Sequence, residues 1–240
     1  MSTIKADAIT ASTGTNTNIA ITGKGSGKVA IGDGTLLFPD ADGSTGQYIK
    51  TDGSANLAFA TLPTGGSLVY LGEVTASASA TVELESLISS TYNNYMIEVM
   101  DAHPATSNTT LKMRTSTDNG SSYRTSNDYQ FHTTNLESTS ASYVATASYN
   151  SSTLLISAPI GNLAATRTAS GFFMLTNVYA TQRLVIHGTV SGGGDGSQAY
   201  GVGHVGGTSS HAEAVNALQF FMDSGNIDTG TFRLYGIAES

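Results

Sequence analysis

Gly201-Val202-Gly203-His204-Val205-Gly206 matches G-x-G-x-x-G, the pattern that seats a dinucleotide pyrophosphate at a helix start. That chemistry needs a strand before the glycines, a helix opening directly after them and an acidic residue on the next strand. Here the flanks are Gly-rich and no helical period follows, so a glycine-rich loop or strand edge is expected instead. Gly23-Lys24-Gly25-Ser26-Gly27-Lys28 has the flavour of a phosphate-binding loop. Its spacing fails, because position 22 is Thr22 and Lys28 precedes Val29 rather than Ser or Thr. A tight turn between two strands explains it better.

Metal and acid–base chemistry fare no better. His103, His132, His187, His204 and His211 include no pair at i, i+2 or i, i+4, so no local metal pair is visible. His204 and His211 meet only if their loop folds back. The acidic turns Asp40-Ala41-Asp42-Gly43-Ser44, Asp118-Asn119-Gly120 and Asp195-Gly196 never continue into a calcium loop with its distal Glu. Tight turns require the same residues. No G-x-S-x-G element occurs, and no glycosidase carboxylate pair stands out. No catalytic residue, cofactor or metal is therefore expected.

One composition does suit binding. Tyr123, Tyr129, Tyr143, Tyr149 and Tyr200 lie in or beside Ser, Asn and Gly stretches, a mixture typical of adaptable contact surfaces. Tyr is also an ordinary strand residue with one wet edge. Loops held by rigid sheets are the usual place for binding. Two stretches are candidates: Ser191 to Ser210, the most Gly-rich, with Tyr200 and His204; and Asn119 to Tyr129, with Tyr123 and Arg124. Arg beside Tyr offers a stacking surface and directional donors. Tyr123, Arg124, Tyr200 and His204 are the candidate receptor-binding residues.

The elements that must position them are strands. Hydrophobic residues make up 39% of the 240, and charged residues 12%, about half the usual ~25% share. A net charge of −8 with scattered Lys and Arg argues against nucleic acid. The absence of Cys excludes disulfides and thiolate metal sites. Met1 to Asp7 lacks the basic start and apolar stretch of a secretory signal. No apolar run approaches the ~20 residues of a membrane helix, so no membrane insertion is expected.

Pro63-Thr64-Gly65-Gly66 marks a boundary, with a hairpin-rich segment over 1–62, a linker over 63–66 and a head over 67–240. In the first segment Asn18 to Thr22 mirrors Lys28 to Gly32, and Gln47 to Lys50 faces Asn56 to Phe59. That segment holds only about 14 large apolar side chains, too few for a core of its own. Another copy is the simplest cover. Ile19, Ile21, Val29 and Ile31, spaced by two, form the expected self-association seam. In the head, roughly ten alternating strands between turn clusters suit a jelly-roll-like antiparallel β-sandwich. Gly171 to Tyr179, the most hydrophobic stretch, should be a central strand. Only Glu85 to Tyr92 and His211 to Leu218 suggest a helical turn or two. The fold class is all-β.

Three strings carry a family resemblance: Met1 to Ile9, Gly27 to Gly34 and Gly46 to Leu57. Together with the closing Thr231 to Ile237, they resemble structural proteins of tailed bacteriophages, namely short tail fibre, knob and capsid decoration proteins. The resemblance covers about a quarter of the chain with some specificity. It implies a homotrimeric virion component without enzymatic activity, assembled in the host cytoplasm and exposed on the particle. Partners would be other chains of its own kind, further tail or capsid proteins and a host-surface glycan. The leading expectation is a fibre or adhesin subunit. A capsid decoration or head-fibre protein is the alternative, and a polysaccharide-degrading fibre enzyme a second one.

Overall fold

Period-two alternation decides which side of each strand meets the core. Ile227–Ile237 shows it plainly, with Phe232 and Leu234 buried while Thr231, Arg233 and Tyr235 face outward. The computed structural model describes residues 30–31, 36–39, 43–54, 56–61, 68–137, 142–162, 167–179, 182–194 and 201–238. Among these residues there are strands and turns but no helix. The expected helical turns at Glu85 to Tyr92 and His211 to Leu218 are turns, bends and irregular chain, except for Ala217 and Leu218, which open a strand.

The chain forms two compact units, Met1–Thr64 and Gly65–Ser240. The first contains β1 (Ala30–Ile31), β2 (Leu36–Leu37), β3 (Gln47–Thr51) and β4 (Leu57–Thr61). β1 pairs with β2 through Ala30↔Leu37 and Ile31↔Leu36. β3 pairs with β4 in register Gln47↔Thr61, Ile49↔Phe59 and Thr51↔Leu57. Asp52 fastens that turn, accepting hydrogen bonds from the amides of Ser54 (2.7 Å) and Asn56 (3.1 Å). Of the expected seam, Ile19, Ile21 and Val29 lie outside the described residues, and Ile31 is described only as backbone of β1.

The second unit holds twelve described strands rather than ten. They are β5 (Leu68–Ser79), β6 (Val82–Leu84), β7 (Asn94–Pro104), β8 (Leu111–Ser116), β9 (Tyr129–Glu137) and β10 (Ser142–Ser151). There follow β11 (Leu154–Leu155), β12 (Ala169–Thr176), β13 (Val185–Gly192), β14 (Gly201–Ser209), β15 (Ala217–Met222) and β16 (Ile227–Ile237). One sheet has eight strands in the order β10-β9-β14-β13-β12-β7-β16-β5; the other has four, β11-β8-β15-β6. Every paired neighbour is antiparallel. β12, within the hydrophobic stretch, lies mid-sheet.

The two strands missed by alternation are β10 and β14. β10 carries many Ser and Ala without apolar–polar contrast, so its pattern is hidden, and β14 is Gly-rich, so local propensity speaks against it. Pairing on either side overrides it for β14, which lies between β13 and β9. Ser191–Ser210 is therefore not one loop. It begins with the end of β13, and from Gly201 it is a strand inside the sheet.

The sheets share one core. Phe220 of β15 packs against Phe232 of β16 with ring centroids 4.9 Å apart, and against Phe173 of β12 at 6.3 Å. All three rings are fully buried. Two buried tyrosines add directional ties. Tyr95 donates to the Ser89 carbonyl (2.7 Å) and accepts from its amide (2.9 Å). Tyr129 of β9 accepts from the Thr115 amide of β8 (2.9 Å) and lies 3.0 Å from the Thr115 hydroxyl. Removing only this hydroxyl in Tyr129→Phe strands a buried amide, so denaturant unfolding should show a loss of about 1–3 kcal/mol.

The turn after β8 is held by charge. Asn119 (φ 58°) and Gly120 (φ 86°) occupy the left-handed region that Asn and Gly tolerate. The Asp118 carboxylate accepts from the Ser122 hydroxyl (2.6 Å), the Ser116 hydroxyl (2.7 Å) and the Ser122 amide (2.9 Å). These bonds favour the anion and lower its pKa from 3.8 to about 2. Its contribution to stability is complete above pH 3.8 and is lost as pH falls toward 2. Chemical denaturation of the native chain and Asp118→Asn should converge across that window and diverge above it.

Candidate functional site

Four adjacent strands of the large sheet, β13, β14, β9 and β10, build an outward-facing cleft. Register places Ala147, His132, Gly206 and His187 in one row across them. In the next row Thr134, His204, Thr189 and Phe172 stand side by side. Residues opposite each other on neighbouring strands point to the same face. His132, His187 and His204 are all exposed there, and Phe172 is 54% exposed.

Gly206 makes the row possible. It carries no side chain, and the His132 imidazole lies over it: a Cβ at 206 would stand 2.5 Å from Cε1 and 2.9 Å from Nε2. The cleft has a volume of about 700 Å³ and is lined by Gln130, His132, Tyr149, His187, Thr208 and Val185 among others. None of its lining residues is an acid, a lysine or an arginine. Among the described residues no three His, Asp or Glu side chains converge to hold a metal ion. The arrangement offers imidazole, amide and hydroxyl hydrogen bonds beside aromatic surface, which suits an uncharged polar ligand. It offers no pair of carboxylates for acid–base work.

The residues singled out from sequence have diverse positions. His204 belongs to this face, on a strand and not on a loop. Tyr200 lies outside the described residues. Tyr123 is half-buried and donates to Glu85 Oε1 (3.1 Å); burial, with Glu83 and Glu85 nearby, pushes its pKa up. Arg124 pairs with Glu213 and lies 3.8 Å from Asp128, while its amide donates to the Thr115 carbonyl at 3.0 Å. Both side chains are thus engaged within the unit. His103 lies 3.4 Å from Asp228. His211 sets its ring against Tyr129 at 6.5 Å rather than joining His204, and burial there lowers its pKa.

Sequence reasoning missed the grouping of His132 with His187. The two meet only because β14 inserts between their strands, and its glycines hide that strand. The available signal was the alternation of Val202, His204, Gly206 and Thr208 against Gly203, Val205 and Gly207.

The chain matches no family model, no curated protein and no solved structure.

Gly206→Ala tests the row directly. The new methyl should displace the His132 ring, shifting its side-chain NMR signals while those of His103 and His211 stay in place. Unmoved His132 signals would contradict the packing of that ring over Gly206.

Proposed function

We propose that the chain is a non-enzymatic virion protein of the tailed-bacteriophage type, a homotrimeric short tail fibre or adhesin subunit. Residues 1–62 dock it to the particle, and 67–240 present a jelly-roll β-sandwich for host-surface attachment. The observation that carries this reading is the strand order. Setting aside the pairs β9–β10 and β13–β14, the remaining eight head strands stack as β5-β16-β7-β12 and β6-β15-β8-β11. Numbered along the chain, these are first-eighth-third-sixth and second-seventh-fourth-fifth. That order matches the interleaving expected of two Greek keys in a jelly roll, an architecture of viral capsid and lectin domains, and supports the reading. The two extra pairs widen one sheet and carry the histidine-lined cleft. A wide, uncharged cleft on such a scaffold suits attachment to a host-surface glycan.

The other half of the same face supports self-association. Tyr70, Tyr235, Met96 and Met174 form a continuous row over β5, β16, β7 and β12. Tyr70 is 54% exposed and meets Tyr235 edge to face at 5.7 Å. Beside the row Arg233 contacts Glu73 (2.5 Å) and Glu98 (3.7 Å), so one cation offsets part of the charge of two carboxylates. In a chain of net charge −8, that offset lowers the repulsion between copies there.

Two measurements test the reading. Light scattering of the full chain should give three times 24.7 kDa; a monodisperse monomer at micromolar concentration overturns the trimer. Antibodies against the head should label phage particles at the tail, and His132→Ala with His187→Ala should cut host-cell binding about ten-fold or more, a loss of ~1.4 kcal/mol. Label on the capsid with undiminished adsorption would instead make it a decoration protein. Reducing sugar released from host envelope would make it an enzyme.

A further inference from the structure

The large sheet is twice as wide as the small one, and the small sheet ends at β11. Leu154 of β11 reaches over Gly207 of β14. β11 packs beside β9, and among the described residues the small sheet has no strand beyond it. The inward residues of β9 record this change along their own strand: Tyr129 is fully buried and Phe131 half-buried, and then come Thr133 and Asn135. Thr146 of β10 stands beside Thr133 in register.

Phe131, Thr133, Asn135 and Thr146 line a second cleft, of about 260 Å³, together with Thr110, Ser151 and Ser157. Thr133 is 1% exposed and Asn135 6%, yet Thr133 Oγ1 and Asn135 Oδ1 have no hydrogen-bond partner. Ser157 in the same wall is satisfied, accepting from the Leu111 amide (2.9 Å) and donating to the Ala158 carbonyl (2.8 Å). Native proteins satisfy most buried polar atoms, because a buried one left unpaired is destabilising. Two such atoms in one cleft therefore mark where an external partner completes the bonds. Gly203 helps to seat them, because Asn135 Oδ1 occupies the space where a Cβ on residue 203 would sit.

We propose that this inner cleft binds one unit of a neutral sugar. Asn135 Oδ1 only accepts, so the ligand must donate; Thr133 Oγ1 does both, as a ring hydroxyl does. The charged groups in the wall, Lys112 and Asp223, are paired with each other, so the site does not select an ion. Phe131, Leu155 and Pro159 supply apolar wall for the C–H face of a pyranose. The volume lies below the ~300–1,000 Å³ of drug-sized ligands, which limits occupancy to a single ring. The inference stands on these atoms alone and is independent of the attachment role and of the outer cleft.

The test uses the full chain with D-glucose, D-galactose and N-acetyl-D-glucosamine as probes, and glycerol as a control. At least one sugar should cause saturable NMR shifts of the Asn135 side-chain amide and the Thr133 methyl at millimolar concentration, with glycerol much weaker. Thr133→Val keeps the side-chain shape, removes only the hydroxyl and should weaken that binding ten-fold or more. Crystals of the native chain soaked in the same sugar should show a ring bonded to Thr133 and Asn135, a result that does not depend on any variant folding. Shifts with no sugar, equal binding by Thr133→Val, or ordered water alone on both atoms in the soaked crystal would each overturn the site. Failure here leaves the outer cleft and particle location untouched.

Discussion

Eight strands cannot be covered by four, and most of what is distinctive in the head unit follows from that mismatch. Where the sheets face each other, Phe173, Phe220 and Phe232 close a dry core. Burial of apolar surface at ~25 cal/mol per Å² makes that the energetic centre of the unit. Where the small sheet runs out, the inner face of the wide sheet borders a cleft, with Thr133 and Asn135 buried in its wall. The inward residues of β9 turn from aromatic to hydroxyl and amide within four positions. A cleft on that side is therefore a geometric consequence of unequal sheet widths, and hydroxyl and amide groups make up much of its wall.

The wing of the large sheet, strands β10, β9, β14 and β13, is held together by β14, a strand rich in the residue that least favours strands. Glycine in a strand interior forfeits packing unless a neighbour occupies the vacated volume. Here the vacancies at Gly203, Gly206 and Gly207 are filled from other strands. His132 lies over Gly206 on the outer face, while Asn135 covers Gly203 and Leu154 covers Gly207 on the inner. The glycines thus act as seats that fix the positions of larger side chains. One of those side chains belongs to the core, and two belong to the clefts. Packing and recognition are consequently coupled through the same three positions.

The legible part of the fold was the part written in alternation. The strands around Tyr95, Leu111, Phe172, Leu184, Leu218 and Phe232 carry branched or aromatic residues at every second position and read directly as strands. Asp118-Asn119-Gly120 read as a turn because Asn119 and Gly120 adopt positive φ at low cost. What escaped was β10, whose Ser and Ala carry no contrast, and β14, whose glycines are stabilised only by partners distant in sequence. Both belong to the wing, so the clefts escaped with them. Arg124 shows the opposite failure. Its neighbourhood looks like a binding loop in sequence, but Asp128 and Glu213, one near and one far along the chain, hold the guanidinium within the unit.

Charge is used in this molecule chiefly to fix local geometry. Arg233 is held between Glu73 and Glu98, Arg124 between Asp128 and Glu213, Lys112 by Asp223, and the Arg114 guanidinium lies 4.5 Å from the Phe221 ring. Each exposed pair adds little stability by itself. Among the described residues their collective effect is to neutralise Lys112, Arg124 and Arg233 in a chain of net negative charge. Long-range steering of an anionic partner is therefore unfavourable. The groups that remain available, imidazoles on the outer face and hydroxyl or amide oxygens on the inner, act only at hydrogen-bond range. Recognition built from them depends on shape and donor direction, and it is far less sensitive to salt than binding through exposed charges.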